Sequence, residues 1–429
     1  MTLPLTFGRQ ALDRDAAVEW YLRNRARSHG LFNLLSPDAY YTRPISLRNP
    51  VVFYEGHLPA FSVIALIKRG LGRPGVDERL ETLFARGIDP EDEQAAAATS
   101  SATAVWPSRE EVQAYARRAD AAIIDVLRTT PLDSIGRPAM RRLEAVYAAL
   151  EHEQMHQETL MYMWHQLPYD LKRAPDGYRP SPGGDPPEPE MVRIPPGAVT
   201  LGADPLRDPF WWDNEYPALE VDVPSFDIDR FPVTNRDFLR FVEAGHEPPH
   251  FWTRRSGTWM WRGMFEELPL PMAWPAWVTW QQADAYARWK GRRLPTEAEY
   301  HRAAFGDPAG SERSFPWGEE PPDEIRRGVF DFLSYDPAPV GSCPAGASAW
   351  GIHDLIGNGW EWTSTVFAGF PGFEAMPSYP EYSADFFDGQ HYVMKGASPV
   401  TPRELIRRSF RNWFRPDYPY VFAKFRTVG

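Results

Sequence analysis

Seven prolines and a Gly-Gly-Asp triplet lie between Pro168 and Glu190, and no long helix or strand can continue through such a segment. The chain differs in character on the two sides of this segment. Residues 1–167 carry apolar side chains at helical spacing, whereas residues 191–429 are short apolar stretches separated by Gly, Pro, Asn and Asp. We therefore expect an α+β protein of two domains, with a helical bundle over 1–167, a Pro-rich linker over 168–190 and a loop-rich domain over 191–429.

Helices are expected throughout the first domain and in two regions of the second. In the first domain they cover Asp13–Ser28, Phe53–Lys68, a stretch beginning at Ser108, and Met140–Gln166. Ser108 and Glu111 have the spacing of a capping box. Residues 89–101 are predicted to form a mobile connection, although their alanine run is also compatible with a helix. In the second domain the helical regions are Asn235–Ala244, and Thr279–Lys290 followed by Pro295–Phe305.

Composition narrows the classes of function. The net charge of −12 argues against nucleic acid or an anionic membrane surface as the main partner. The longest uninterrupted apolar stretch, around Pro59–Ile67, is much shorter than the roughly 20 residues of a membrane span, and the N-terminus has no basic region followed by an apolar run. A single cysteine, Cys343, excludes an internal disulfide and a CxxC motif. We expect a cytoplasmic protein.

The string LEHEQMHQETL contains the residues most indicative of chemistry. His152 and His156 are four residues apart, so on a helix their imidazoles leave the same face and can meet one metal ion. His57, within an apolar helical stretch, is the candidate third ligand. Glu153 completes an HExxH pattern, so a zinc metalloprotease is one alternative reading. Three neutral imidazoles suit either zinc or iron, and spacing does not choose between them.

The second domain contains several strings that resemble one family. They are FDIDRFPVTNRDFLRFVEAG, RRLPTEAEYHRAA, FPWGEE, GIHDLIGNGWEWTSTVF and RRSFRNWF. Together they resemble the formylglycine-generating-enzyme (sulfatase-modifying) fold, a C-type-lectin-like domain. That enzyme uses a pair of cysteines on copper, which a chain with only Cys343 does not possess. Fold alone therefore implies no activity here.

The first domain, with His57 and the string running from His152 to Glu158, resembles a DinB-type four-helix bundle. A DinB bundle followed by a sulfatase-modifying domain resembles the EgtB-type sulfoxide synthases of ergothioneine biosynthesis. This resemblance implies Fe(II) on His57, His152 and His156. It also implies Nα-trimethylhistidine (hercynine) as substrate, with O₂ driving bond formation to C2 of its imidazole.

The resemblance also implies roles for residues near the C-terminus. Asn412 and Trp413, in the FRNW string, correspond to the residues that bind the hercynine betaine, and an aromatic wall suits a quaternary ammonium. A tyrosine from the preceding loop is the proton donor in the family. Tyr379 and Tyr382, in SYPEYSADFF, are both candidates for that catalytic role.

Several positions depart from the family pattern. Synthases that use γ-glutamylcysteine have an acidic residue and an arginine where this chain has Phe414 and Tyr418, which we expect to contact the co-substrate instead. Gly359 replaces the usual valine and is predicted to enlarge the cleft, and Lys424 replaces a glycine.

These departures, with the segment FYEGHLPAF…LIKRGLGRPGVD…LFARGIDPEDE, resemble the selenoneine synthase branch, which joins hercynine to a selenosugar. An ergothioneine sulfoxide synthase that uses cysteine or γ-glutamylcysteine is the alternative. A zinc thiol-transferase and a lectin-like binding module on a structural bundle are further alternatives.

Overall fold

The computed structural model describes residues 12–85, 105–322 and 327–429. The chain divides into two compact units. The first, here the helical unit, comprises Met1–Asp176 together with the short segment Met376–Pro380. The second, here the mixed unit, comprises Gly177–Ala375 and Glu381–Gly429. The chain passes from one unit to the other inside the Pro-rich segment. The residues 89–101, for which a connection was expected, lie outside the described part of the chain.

The described part of the helical unit contains five α-helices. They are α1 (Arg14–Phe32), α2 (Val51–Ser62), the short α3 (Glu78–Leu83), α4 (Arg109–Thr129) and α5 (Glu144–Gln166). The helix α2 continues without a break as a π-helix, Val63–Gly70, and ends at the glycines where the sequence predicts its end. These helices confirm the four predicted in this unit and add α3.

Helix ends follow local side-chain chemistry. Asp13 caps α1 by accepting a hydrogen bond from the Ala16 amide. At α4 the Ser108 hydroxyl accepts from the Glu111 amide, but the Glu111 carboxylate pairs with Arg79, so only half of the expected capping box forms.

The start of α5 departs from the prediction. This helix begins at Glu144 rather than Met140. The preceding Arg142 and Leu143 have φ values of 57° and 58°, which belong to the left-handed region and interrupt a right-handed helix. Residues Pro138–Leu143 contain 3₁₀ turns interrupted by a kink at Arg141 and Arg142, whose backbone angles are not helical.

One stretch of the described chain, Val51–Gly70, is long and apolar enough to cross a membrane, with a mean hydropathy of 1.3 over its window. This stretch was not predicted from the sequence, because only uninterrupted apolar residues were counted there, and Glu55, His57 and Lys68 interrupt the run. Within the helical unit 89 % of that window is buried. It is therefore packed as a core helix of this unit.

The described part of the mixed unit contains eleven short strands in four small sheets. The strands are β1 (Met191–Ile194), β2 (Gly197–Leu201), β3 (Leu219–Val223), β4 (Phe226–Asp229), β5 (Trp252–Arg255), β6 (Thr258–Arg262), β7 (Glu267–Pro269), β8 (Gly359–Val366), β9 (Tyr392–Ala397), β10 (Asn412–Phe414) and β11 (Ala423–Lys424). β1 pairs with β4, β2 with β3, and β5–β6–β7 form a meander, all antiparallel. The largest sheet has the order β10-β9-β8-β11, with β11 parallel to β8.

Three helices of the mixed unit, α6 (Asn235–Glu243), α7 (Trp280–Trp289) and α8 (Glu297–Phe305), confirm the predicted helical regions. Each begins after a threonine whose hydroxyl accepts a backbone hydrogen bond, and α7 and α8 have complete capping boxes. The apolar face of α8 joins a core with strands β1–β4 and β9, which includes Tyr300, Leu355 and Val428.

The expectation that Gly359 enlarges a cleft is wrong. This residue has φ = 134°, and a Cβ there would lie 2.8 Å from the Trp277 indole nitrogen and 3.3 Å from Cγ of Lys424. The Lys424 ammonium donates a 2.6 Å hydrogen bond to the Gly359 carbonyl. The two departures from the family pattern are therefore coupled, because the lysine stem packs where a larger side chain at 359 would stand.

Candidate metal centre

Three histidines, of which His57 and His152 are buried and His156 is half-buried, meet in the helical unit. α2 supplies His57, and α5 supplies His152 and His156 from successive turns. One ligand atom of each lies within 4.8 Å of those of the other two, and Nε2 of His57 is 3.2 Å from Nε2 of His156. The structure thus brings together the three residues that the sequence nominates as ligands. Three imidazole nitrogens at such separations can hold one divalent ion.

Local contacts orient His57. Its Nδ1 is 2.7 Å from the Phe84 carbonyl oxygen, so a proton on Nδ1 satisfies both groups and leaves the Nε2 lone pair for a metal. Phe84 approaches this closely because residue 56 is glycine, where any Cβ would overlap the Phe84 ring. The Phe53 ring stacks on His57 with centroids 5.0 Å apart. This hydrogen bond and the stacked ring fix the plane of the imidazole.

The other two ligands lie in an apolar setting. Phe61, one turn after His57 on α2, stacks on His152 with ring centroids 3.4 Å apart and planes 8° apart. Nδ1 of His152 and Nδ1 of His156 are buried and have no hydrogen-bond partner among the described residues. Phe61 is a residue that the sequence reasoning missed, although its spacing of four from His57 was a usable signal.

Burial sets the protonation state of the cluster. It lowers the pKa of His57 to about 4, with the Phe84 carbonyl opposing the shift. Burial, followed by the neighbouring histidines, lowers the pKa of His152 well below its ordinary value. The pKa of His156 is lowered in the same way by burial, His57 and Arg48. All three imidazoles are therefore neutral at pH 7, the state that binds a metal. This donor set fits the divalent iron that the resemblance implies.

Glu153, the acid of the HExxH pattern, does not serve this cluster. Its side chain is fully buried, and one carboxylate oxygen accepts hydrogen bonds from Arg25 (3.0 Å) and from the Ser28 hydroxyl (2.6 Å), both on α1. Arg25 also pairs with Asp120 of α4 at 2.9 Å. The carboxylate therefore ties three helices together. A metalloprotease would instead need it as a base beside the metal.

The two candidate tyrosines have different surroundings. Tyr379 belongs to the segment Met376–Pro380 of the helical unit, where its ring centroid lies 4.9 Å from that of Phe61 and 6.0 Å from that of His152. Tyr382 belongs to the mixed unit, and its ring lies 4.1 Å from Trp212. Of the two tyrosines, Tyr379 is the one beside the histidines.

An aromatic cluster in the mixed unit contains the predicted substrate-binding tryptophan. The Trp413 ring stacks on Phe367 with centroids 4.1 Å apart and stands edge-on to Tyr382 at 5.3 Å. The Asn412 side-chain oxygen accepts from the Trp413 amide at 2.9 Å. Phe367, like Trp212 beside Tyr382, was missed from the sequence, because only tertiary packing brings it to Trp413.

Phe414 and Tyr418, which the sequence predicts to contact the co-substrate, lie together in the mixed unit. Their rings are 5.0 Å apart at centroid and 27° from parallel. Both are partly or largely buried. The structure thus has two stacked rings where γ-glutamylcysteine-using synthases have a charged pair. These rings supply an apolar face in place of a carboxylate-binding arginine.

Comparison with known proteins follows the same division. The Sulfatase-modifying factor enzyme 1-like domain family matches residues 179–429, and the DinB superfamily matches residues 21–160. The DinB and sulfatase-modifying identities inferred from the sequence for the two domains are confirmed. A solved structure of PvdO from Pseudomonas aeruginosa has 24 % identity and a TM-score of 0.41, covering 56 % of this chain and 93 % of that one.

Two curated relatives match this chain across both of its domains. The chain is 35 % identical to a hercynine oxygenase of Mycolicibacterium smegmatis, over 74 % of this chain and 77 % of that protein. It is 29 % identical to ergothioneine biosynthesis protein 1 of Schizosaccharomyces pombe, over 92 % of this chain and 53 % of the fungal protein. The order of domains, the histidine cluster and these similarities lead to one conclusion: the chain belongs to the EgtB-type hercynine oxygenase family.

Proposed function

We propose that this chain is an O₂-dependent nonheme iron enzyme that joins sulfur to C2 of the hercynine imidazole. The observation that carries the proposal is the cluster of His57, His152 and His156, neutral at pH 7 and with Tyr379 beside it. The names of the relatives, hercynine oxygenase and ergothioneine biosynthesis protein, support sulfur as the chalcogen. With a thiol, the overall reaction consumes one O₂ and yields a sulfoxide and one water.

Fe(II) held by the three histidines would supply the redox chemistry with O₂. The protein's own residues have separate tasks. Neutral imidazoles leave the ion its full charge, and the rings of Phe53 and Phe61 exclude water from two of the ligands. We assign to the Tyr379 hydroxyl the role of proton donor in the reaction, and we assign no catalytic role to Tyr382, which lies among the aromatic rings of the mixed unit.

Recognition of hercynine is assigned to the mixed unit. Its trimethylammonium group has no N–H to donate, so it is bound best by aromatic faces. Trp413, backed by Phe367, offers such a face, and Asn412 is the polar residue next to it. This assignment explains why a tryptophan stands in a position that is only partly buried.

Selenium is the second candidate, and one observation favours it. The stacked rings of Phe414 and Tyr418 occupy the positions of the charged pair that holds γ-glutamylcysteine. A dipeptide with two charged ends gains little from two aromatic rings, whereas the face of a sugar stacks well on them. A selenosugar donor, giving selenoneine, is therefore the alternative to free cysteine. The relatives favour sulfur, and the aromatic pair favours a sugar.

The test is an aerobic assay of the Fe(II)-loaded protein with hercynine and one of three co-substrates: cysteine, γ-glutamylcysteine or a 1-selenosugar. Products are identified by mass spectrometry. A sulfoxide from cysteine supports the proposal, and a selenium adduct from the selenosugar alone replaces it with the second candidate. The His152→Ala variant is the control and is expected to lose iron and turnover together. Turnover by the zinc-loaded protein without O₂ would instead indicate a thiol-transferase.

A further inference from the structure

The segment Met376–Pro380, here called the strap, is held through the backbone amide and the backbone carbonyl of Ser378. The Ser378 amide donates a 2.8 Å hydrogen bond to the Glu144 carboxylate. Arg69 donates a 3.4 Å hydrogen bond to the Ser378 carbonyl oxygen. Ser378 is fully buried, so these two side chains satisfy backbone groups that have no access to water. Two charged residues of the helical unit thus bind one peptide of the strap.

The next residue in the strap is Tyr379. Its amide donates to the Met376 carbonyl at 3.2 Å, so the strap is folded as a turn, and prolines at 377 and 380 restrict it further. The Tyr379 ring is edge-on to Phe61, with centroids 4.9 Å apart, and lies 6.0 Å from His152, which stacks on a face of Phe61. Any movement of the Ser378 peptide therefore moves the Tyr379 ring relative to His152.

Glu144 and Arg69 lie on the two helical segments that supply the metal ligands. Glu144 is the first residue of α5, eight residues before His152, which is about 12 Å along the axis. Arg69 lies in the π-helix that continues α2, twelve residues after His57. Neither residue is part of the histidine cluster. The same rigid elements that fix the ligands therefore also fix the strap.

The setting of Glu144 agrees with this role. Burial raises the pKa of its carboxyl group, and the Ser378 amide acts in the opposite direction. A carboxylate loses hydration when it is buried in this way, and an amide hydrogen bond to a charged acceptor is among the stronger ones in proteins. An exposed first-turn acid would interact equally well with the helix dipole. Its half-buried position against the strap indicates a role beyond the helix dipole.

We propose that Glu144 and Arg69 are positioning residues that hold the Ser378 peptide and so set Tyr379 beside His152. The consequence of this placement for catalysis rests on the proposed function, in which Tyr379 transfers a proton. The binding of the strap itself does not depend on it. Two experiments separate these parts.

The first experiment measures amide hydrogen exchange by mass spectrometry in the metal-free full chain. Glu144→Leu removes the acceptor, whereas Glu144→Gln retains an acceptor oxygen without the charge. In the Leu variant the strap peptide is expected to exchange about tenfold faster, equivalent to about 1.4 kcal/mol, while the Gln variant stays close to wild type. Glu110→Leu is the matched control, because Glu110 is an exposed first-turn acid of α4. Unchanged protection in Glu144→Leu, or equal loss in Glu144→Gln, overturns the proposal.

The second experiment is a double-mutant cycle on the iron-loaded enzyme with Glu144→Leu and Tyr379→Phe. If Glu144 acts through Tyr379, the Leu variant lowers kcat about tenfold in the wild-type background and has little further effect in the Phe background. Glu144→Gln is expected to restore most of kcat, with iron content equal in all variants. If the two substitutions lower kcat independently, so that their effects multiply in the double variant, the positioning role of Glu144 is overturned. If the wild-type protein shows no turnover, the proposed function fails. Hydrogen exchange alone then tests whether Glu144 holds the Ser378 peptide of the strap.

Discussion

Replacing Glu153 tests whether this acid stabilises the helical unit or acts as a catalytic base. Its carboxylate is fully buried and accepts from Arg25 at 3.0 Å and from Ser28 at 2.6 Å. Removing one member of a buried ion pair costs about 3–5 kcal/mol, because the remaining charge stays desolvated. Here Arg25 retains Asp120 at 2.9 Å, so Glu153→Ala is expected at the lower limit, about 3 kcal/mol.

The assay is thermal unfolding of the metal-free protein, combined with metal content and turnover of the iron-loaded form. A loss of about 3 kcal/mol corresponds to a fall of roughly 6–12 °C in Tm for a unit of this size. Glu153→Gln keeps an oxygen for Arg25 and Ser28 and is expected to retain most of the stability, the iron and the turnover. If the Gln variant keeps its stability and its metal but loses turnover about 100-fold, the structural role of Glu153 is refuted. Glu153 would then act as a catalytic base, as the acid of an HExxH metalloprotease does.

Three further predictions concern other parts of the molecule. In the metal-free protein the pKa of His57 is about 4 against an ordinary 6.5, so between these values the unfolded chain binds more protons than the folded one. As urea titrations move from pH 6.5 towards pH 4, His57 alone is expected to lower the free energy of unfolding by up to about 1.4 kcal/mol per pH unit, and the lowered pKa values of His152 and His156 add to that fall. Trp413→Ala is expected to weaken hercynine binding about tenfold by calorimetry, with a smaller effect on histidine, which has no trimethylammonium group. Gly359→Val is expected to lower the free energy of unfolding, measured in urea, by at least about 2 kcal/mol, because a valine there must adopt φ = 134° and would overlap Trp277. An unchanged urea midpoint would contradict the packing described.

Most predictions that depend on neighbouring residues were accurate. The four-residue spacing of His152 and His156 on a helix is sufficient to place both rings on one face. The predicted helical regions Asn235–Ala244, Thr279–Lys290 and Pro295–Phe305 correspond to α6–α8, and the structure shows a threonine hydroxyl that accepts a nearby amide at the start of each. The start of α5 was predicted four residues too early, because the left-handed conformation of Arg142 and Leu143 has no signal in their side chains.

Predictions that depend on distant residues were less complete. The sequence offered Tyr379 and Tyr382 as equivalent candidates, three residues apart, and only the fold assigns them to different units. Gly359 was expected to leave space, but the Lys424 stem lies there. In both cases the deciding neighbour is remote in sequence, so no local pattern reports it.

The sequence by itself determined the two domains, their family and the three candidate metal ligands, because each follows from a motif or a helical period within one segment. Only the tertiary structure decided that the Phe84 carbonyl orients His57, that Arg25 and Ser28 hold Glu153, and that Glu144 binds the strap. These pairings join segments from 27 to 234 residues apart. They form because burial requires each polar group to find a partner, and which partner is within reach depends on how the helices pack.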